Sequence, residues 1–164
     1  MKLRNERGFT MIEILVATVI VGLVAAMVVP SFDSAIKKIY WRDTATDILS
    51  TLRSARSHAI AKQSQCGVVW DPSTNRFTVF VDKVNKPSFS FDLGDSILLV
   101  DSIEANSASF YTSFTGNTLF FFPNGRASQS GTIGGSSYSE GLYQSMSLSV
   151  LAATGRVTID YLYN

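Results

Sequence analysis

Residues 6–32 read ERGFTMIEILVATVIVGLVAAMVVPSF, a greasy run with one acid, Glu13, set inside it. Between Phe9 and Val29 there is no other charge, and the polar content is Thr10, Thr18 and the helix-tolerant Gly22. At about 1.5 Å per residue this run spans roughly 31 Å as a helix, the hydrocarbon thickness of a bilayer. An ionised carboxylate near its start costs about 3 kcal/mol or more on insertion scales unless a counter-charge is supplied. Glu13 therefore calls for a partner, although a position one turn from the helix start also lets it snorkel to the interface.

The flanks sharpen this reading. The octapeptide MKLRNERG is basic, with Lys2, Arg4 and Arg7 against Glu6. A general secretory signal has a shorter apolar core ending at a small-residue cleavage site, so a run of this length reads as a retained anchor. The chain as a whole carries a formal charge of +1, which falls to −1 without its first eight residues. No global basic field is left to recruit nucleic acid or anionic lipid. Cys66 is the single cysteine, which excludes an intramolecular disulfide and a zinc cluster and suits a small buried apolar residue.

Beyond Pro30 the helical pattern continues. Phe32, Ile36, Ile39, Tyr40, Ile48, Leu49, Leu52, Ala55, Ala59 and Ile60 recur at helical spacing among charged residues, which predicts an amphipathic helix over 30–65. Pro30 lacks an amide hydrogen and crowds the carbonyl four residues back, so a kink is expected there. Trp41 lies well past the apolar run and is expected to pack on the remaining part of the chain or on a neighbour.

Residues 66–164 read as strands. GVVW and RFTVFVD flank DPSTN as a hairpin, and SILLVDS, ASFYTSF and TLFFF add further strands, the last stopped by Pro123-Asn124-Gly125. Met146, Leu148 and Val150 alternate with serines, and after the Thr154-Gly155 turn Val157, Ile159 and Tyr161 alternate with Thr158, Asp160 and Leu162. This is the mark of half-buried antiparallel strands. The Gly- and Ser-rich residues 127–141 are expected to form a long surface loop.

The junction Arg7-Gly8-Phe9-Thr10-Met11-Ile12-Glu13, with a basic leader before it and an apolar helix after it, resembles the processing site of type IV pilins and type II secretion pseudopilins. The remaining chain resembles the minor pseudopilin H and FimT-type minor pilins: the segment Leu52-Arg53-Ser54-Ala55-Arg56-Ser57, the turn Phe122-Pro123-Asn124-Gly125, the step Gly131-Thr132-Ile133 and the terminal Thr154-Gly155-Arg156-Val157 carry the likeness.

The resemblance implies an α+β, pilin-like fold: a long N-terminal helix, half transmembrane and half amphipathic, packed on a C-terminal antiparallel β-sandwich. It divides the chain into a leader (1–8), a transmembrane and fibre-core helix (9–29), an amphipathic helix (30–65) and a periplasmic β-rich domain (66–164). A prepilin peptidase would cut after Gly8 and methylate Phe9, and Glu13 would pair with the terminal amine of a neighbouring subunit. Positive charges flank the anchor on both sides, so orientation rests on the resemblance: leader in the cytoplasm, β-domain beyond the inner membrane.

The implied function is a minor structural subunit at or near the tip of a secretion pseudopilus or type IV pilus, helping prime fibre assembly and protein secretion. Its partners would be other major and minor pilins, the peptidase, the inner-membrane assembly platform and, before assembly, lipid. The alternative is a DNA-binding minor pilin with contacts from Arg126 and Arg156. Some FimT-type pilins carry a second arginine shortly after the Gly-Arg pair; here Gly155-Arg156 is followed by Val157-Thr158-Ile159-Asp160, so the patch is thin. No enzyme, cofactor or metal is expected. His58 is the single histidine and lies in the amphipathic helix, GTIGGSSYSEG lacks the ending of a phosphate loop, and the aspartates are not spaced as a calcium loop.

Overall fold

The computed structural model describes residues 8–83, 90–102, 108–139 and 142–163; within them the side chains of residues 28–31, 33, 34, 101, 102, 108, 139, 142 and 163 are outside the description. Among the described residues one helix and eight strands follow in order: α1 (Met11–Lys62), β1 (Cys66–Asp71), β2 (Arg76–Val81), β3 (Ser96–Ser102), β4 (Ala108–Thr112), β5 (Thr118–Phe121), β6 (Gly131–Ser139), β7 (Leu142–Leu151) and β8 (Arg156–Tyr163). A single 3-10 turn, Thr115–Asn117, leads into β5. The chain separates into two compact units, Met1–Ile39 and Tyr40–Asn164.

In the first unit the helix begins at Met11, and its apolar side chains are exposed all round, from Met11 at 92% to Met27 at 77%. A helix apolar on every side needs either lipid or other helices to cover it. Among the described residues no helix is long and apolar enough to cross a membrane; the described side chains of the run stop at Met27. The backbone is helical through Pro30, whose side chain lies outside the description.

In the second unit the helix buries a stripe made of Trp41, Ala45, Ile48, Leu52, Ala55 and Ala59. Their spacing alternates between four and three residues, so they share one face. The expected stripe is right from Ile48 to Ala59, but Phe32, Ile36, Ile39, Tyr40 and Ile60 are exposed, and the buried stripe instead starts at Trp41. Trp41 stacks on Phe110 with ring centroids 5.9 Å apart.

The strands form two four-stranded antiparallel sheets, ordered β3-β2-β1-β5 and β4-β6-β7-β8. Val68, Trp70, Phe77, Leu119 and Phe121 of the first and Ile133, Met146, Leu148, Val150 and Val157 of the second join the helix stripe in one core. The terminal hairpin follows the expected alternation, with Val150 opposite Val157 and Leu148 opposite Ile159. Cys66 is fully buried, and burial pushes its thiol up to about 12, which leaves it unreactive.

The hairpin β1–β2 is closed by its own side chains. The hydroxyls of Ser73 and Thr74 donate to the Asp71 carboxylate at 2.7 and 2.8 Å, and the Ser73 N–H adds a third bond at 2.9 Å. Chiefly through the Ser73 hydroxyl, these donors hold the Asp71 carboxyl at about 2, below the usual carboxylate range.

The expected loop over 127–141 is corrected by β6, which pairs with β4 on one side and β7 on the other. Glycine and serine are poor strand formers alone. Here the aromatic rings of β4 and its continuation supply what the glycines lack. A Cβ on Gly135 would lie 2.7 Å from the Phe110 ring, one on Gly131 would lie 2.6 Å from the Phe114 ring, and one on Gly134 would meet Tyr111. The same device recurs in the first sheet, where Gly67 faces Phe80 on β2 and Phe120 on β5, and the two rings meet edge to face over it at 5.6 Å.

Candidate functional site

The N-terminal end of α1 is built from Gly8, Phe9, Thr10 and Glu13. Gly8, Phe9 and Thr10 are non-helical and exposed, and nothing lies within 4 Å of the place where a Cβ on Gly8 would sit. Thr10 caps the helix. Its carbonyl accepts the N–H groups of Glu13 and Ile14 at 3.1 and 3.3 Å, and its Oγ1 accepts the Glu13 N–H at 3.4 Å. Thr10-Met11-Ile12-Glu13 thus has the Thr-x-x-Glu pattern of a capping box, with Glu13 at the positive end of the helix dipole. The sequence carried this signal too, and it gives Glu13 a local role alongside any intermolecular one.

At the other end of the helix, in the second unit, Arg56 gathers two turns that are far apart in the chain. Its Nε donates to the Gly125 carbonyl at 2.9 Å, and its Nη2 donates to the Thr154 carbonyl at 2.9 Å. Gly125 and Gly155 have φ of 78° and 60°, the left-handed region that glycine adopts without strain. They also pack against each other, since a Cβ on Gly155 would strike the Gly125 carbonyl oxygen. The first turn is closed by Gly125 N–H to the Phe122 carbonyl at 2.8 Å, and the second by Gly155 N–H to the Leu151 carbonyl at 2.8 Å. A bond from the Ala127 N–H to the Ala152 carbonyl, 3.0 Å, ties one turn to the other.

Beside this clamp lies an open cleft of about 590 Å³, walled by Arg53, Arg56, Ser57 and Ile60 of α1 and by residues of β8 from Arg156 to Ile159. Arg53 and Arg156 are exposed, and neither guanidinium makes an ion pair among the described residues. Among the described residues no acid lines the cleft. Of the arginines singled out in the sequence, Arg156 is therefore joined by Arg53 and Arg56, whereas Arg126 is exposed and is not part of the wall. Sequence spacing could not have paired them: Arg56 and Thr154 meet only because two glycine turns fold back onto the helix.

His58 is half-buried, and its Nδ1 has no hydrogen-bond partner. Among the described residues there is no cluster of His, Cys, Asp or Glu suited to a metal.

A capped helix preceded by an exposed Gly-Phe junction and packed on two antiparallel sheets defines a type IV pilin-like subunit. Within that class the chain belongs to the Type II transport protein GspH family, whose sequence profile matches residues 44–154. The prokaryotic N-terminal methylation motif matches residues 3–29. The family consists of structural minor pilins and pseudopilins of type IV pili or type II secretion, which assemble with other pilins.

The fold is similar to the type IV minor pilin FimU of Pseudomonas aeruginosa strain PAO1. One crystal form gives a TM-score of 0.54 at 14% identity, covering 73% of this chain and 91% of that one. A second gives 0.52 at 17% identity, covering 73% and 87%. It is also similar to the minor pseudopilin EpsH from the Type 2 Secretion System of Vibrio cholerae, with a TM-score of 0.52 at 14% identity over 74% of this chain and 94% of that one. No curated protein matches the sequence.

Proposed function

We propose that this chain is a minor pilin or pseudopilin that is cut between Gly8 and Phe9, methylated on Phe9, and held in the inner membrane by residues 9–29. It then joins a fibre at or near its tip, where it helps prime assembly and secretion. The observation that carries this reading is the N-terminal arrangement: an accessible, non-helical Gly8-Phe9 bond, a helix start at Met11 and Glu13 in its first turn. A peptidase needs extended backbone, which a helix does not offer. Once the bond is cut, the new amine lies one turn from an acid on an apolar rod. In a low-dielectric bundle each charge is costly alone and is best satisfied by its opposite on an adjacent subunit. Pro30 sits where the anchor would leave the membrane and supplies a kink there.

Mass analysis of the mature N-terminus and fibre incorporation of Glu13 variants test the reading together. The mature chain is expected to start at methylated Phe9. Glu13→Ala and Glu13→Gln should both insert in the membrane and both fail to enter sheared fibres. Glutamine preserves the capping pattern but not the charge, so incorporation of Glu13→Gln at the wild-type level would reduce Glu13 to a helix cap. An intact Met1 would refute cleavage at Gly8-Phe9 and the assembly role built on it.

A second reading, DNA binding through Arg126 and Arg156, gains from the positive charge that Arg53 and Arg56 add beside Arg156. It is weakened by the missing second arginine and by Asp160, which shares an exposed face of β8 with Arg156 and Thr158. Salt-sensitive retardation of duplex DNA by the mature chain would favour it.

A further inference from the structure

We propose that the cleft between α1 and β8 is a carboxylate-binding site that receives an acidic side chain on an extended segment of a neighbouring pilin-type subunit. The inference rests on the fibre-subunit reading for the identity of the partner, but the chemistry of the site stands on the cleft itself.

Arg56 commits its Nε and one Nη2 donor to the Gly125 and Thr154 carbonyls and so fixes the wall. Its charge remains. Arg53 and Arg156 face the same space with their guanidinium donors unengaged by any acid among the described residues. Both line one cleft, so an anion entering it meets positive charge from the helix wall and from the strand wall. Guanidinium forks match a carboxylate geometrically, and bonds of this type are roughly twice as strong as neutral ones. Ser57 and Thr158 add hydroxyls, and Ile60 and Ile159 offer apolar surface for the methylenes of the incoming chain. A volume of about 590 Å³ falls within the range of ordinary ligand sites.

Strand β8 explains why the ligand should arrive on an extended segment. It pairs with β7 on one side and stands at the end of its sheet on the other. An unpaired strand edge is a template for main-chain hydrogen bonding by a partner strand. The acid would supply specificity at the arginine end while the backbone adds along β8.

Local charge favours a protein partner over nucleic acid. A phosphate backbone presents repeated charge and needs a basic track. Here the chain without its leader octapeptide is net negative, and Arg156 shares its exposed face of β8 with Asp160. One carboxylate fits the arginine end without reaching that aspartate; a run of phosphates does not.

The test is calorimetric titration of the full mature chain in detergent micelles at low salt. The probe is a capped, extended Val- and Thr-rich peptide with a central Glu, compared with the same peptide carrying Gln. Saturable binding of the Glu peptide with a Kd below ~1 mM is expected, with the Gln peptide at least about tenfold weaker. Arg53→Gln and Arg156→Gln should each weaken the Glu peptide by about tenfold, while Arg76→Gln, exposed at the start of β2, leaves it unchanged. Near-UV circular dichroism of each variant checks that the aromatic core is intact.

Equal binding of both peptides, or no binding of the Glu peptide, overturns the assignment. Inorganic phosphate binding as tightly as the Glu peptide reduces the cleft to a general anion site, and a short DNA duplex binding more tightly and losing affinity in the same variants replaces the peptide with nucleic acid; either result refutes the proposal. A correctly processed, fibre-incorporated chain that ignores the Glu peptide overturns the cleft alone and leaves the pilin reading in place. Peptide binding by a chain that retains Met1 does the reverse.

Discussion

Replacing Arg56 by Met removes the guanidinium that joins the two glycine turns while keeping most of the stem that packs beneath it. Two charge-assisted hydrogen bonds, each 2.9 Å, are lost. Bonds to charged groups contribute about 1.5–3 kcal/mol each, and an acceptor left buried without a partner costs more than one that water can reach. The Gly125 bond is partly buried, so most of its value is lost; the Thr154 bond is exposed, so water recovers much of it. The expected cost is about 2–3 kcal/mol. For a folded unit of this size each kcal/mol moves Tm by roughly 4 °C, so the midpoint should fall by roughly 8–12 °C. The assay is thermal unfolding of the mature chain in micelles, followed in the near-UV band of Trp41 and Trp70, both of which lie in the core of the second unit. Arg56→Lys, which can reach one carbonyl as a point donor but cannot bridge both, should fall between the wild type and Arg56→Met. A loss of less than ~3 °C in Arg56→Met, or an Arg56→Lys indistinguishable from wild type, would show that the turns hold themselves together without the clamp.

Further outcomes follow from the same geometry. Gly67→Ala should cost about 2–3 kcal/mol in urea unfolding, because its new methyl meets the buried Phe80 and Phe120 rings; Gly134→Ala should cost about 1 kcal/mol or less, because Tyr111 is 59% exposed and free to swing aside. Asp71→Asn tests the hairpin turn. The folded carboxyl sits at about 2 against about 3.9 for an unfolded aspartate, so its stabilisation is full above about pH 4 and disappears as pH falls through about 2. The stability gap between wild type and Asp71→Asn should close across that interval, and a gap independent of pH would refute the charge-based account.

What could be read in the chain depended on whether a residue's neighbour was close in sequence. The terminal hairpin was legible because Met146, Leu148 and Val150 alternate with serine, so the pattern states which face is buried. The helix was legible from Ile48 to Ala59 for the same reason. The packing of Trp41 on the rest of the chain was legible from its place well past the apolar run, but the burial of Ala45 was not, because an alanine carries little hydrophobic signal and its burial is decided by the sheet packed on it. Strand β6 was misread because its apolar surface is borrowed: the rings over Gly131, Gly134 and Gly135 belong to Phe114, Tyr111 and Phe110, about 20 residues earlier. The N-terminal methylation motif was visible as a local pattern. The arginine cleft was not, since Arg53 and Arg156 are brought together only when Arg56 has captured two turns about 70 and 100 residues downstream.

The glycine lane of β6 ties the inheritance of one strand to that of another. A ring on β4 and a missing side chain opposite it form a single unit split between two places in the chain, so neither half can drift independently. Any relative that gains a methyl at the position of Gly135 would have to shrink the residue at Phe110, and a chain that kept both would have to part the two strands.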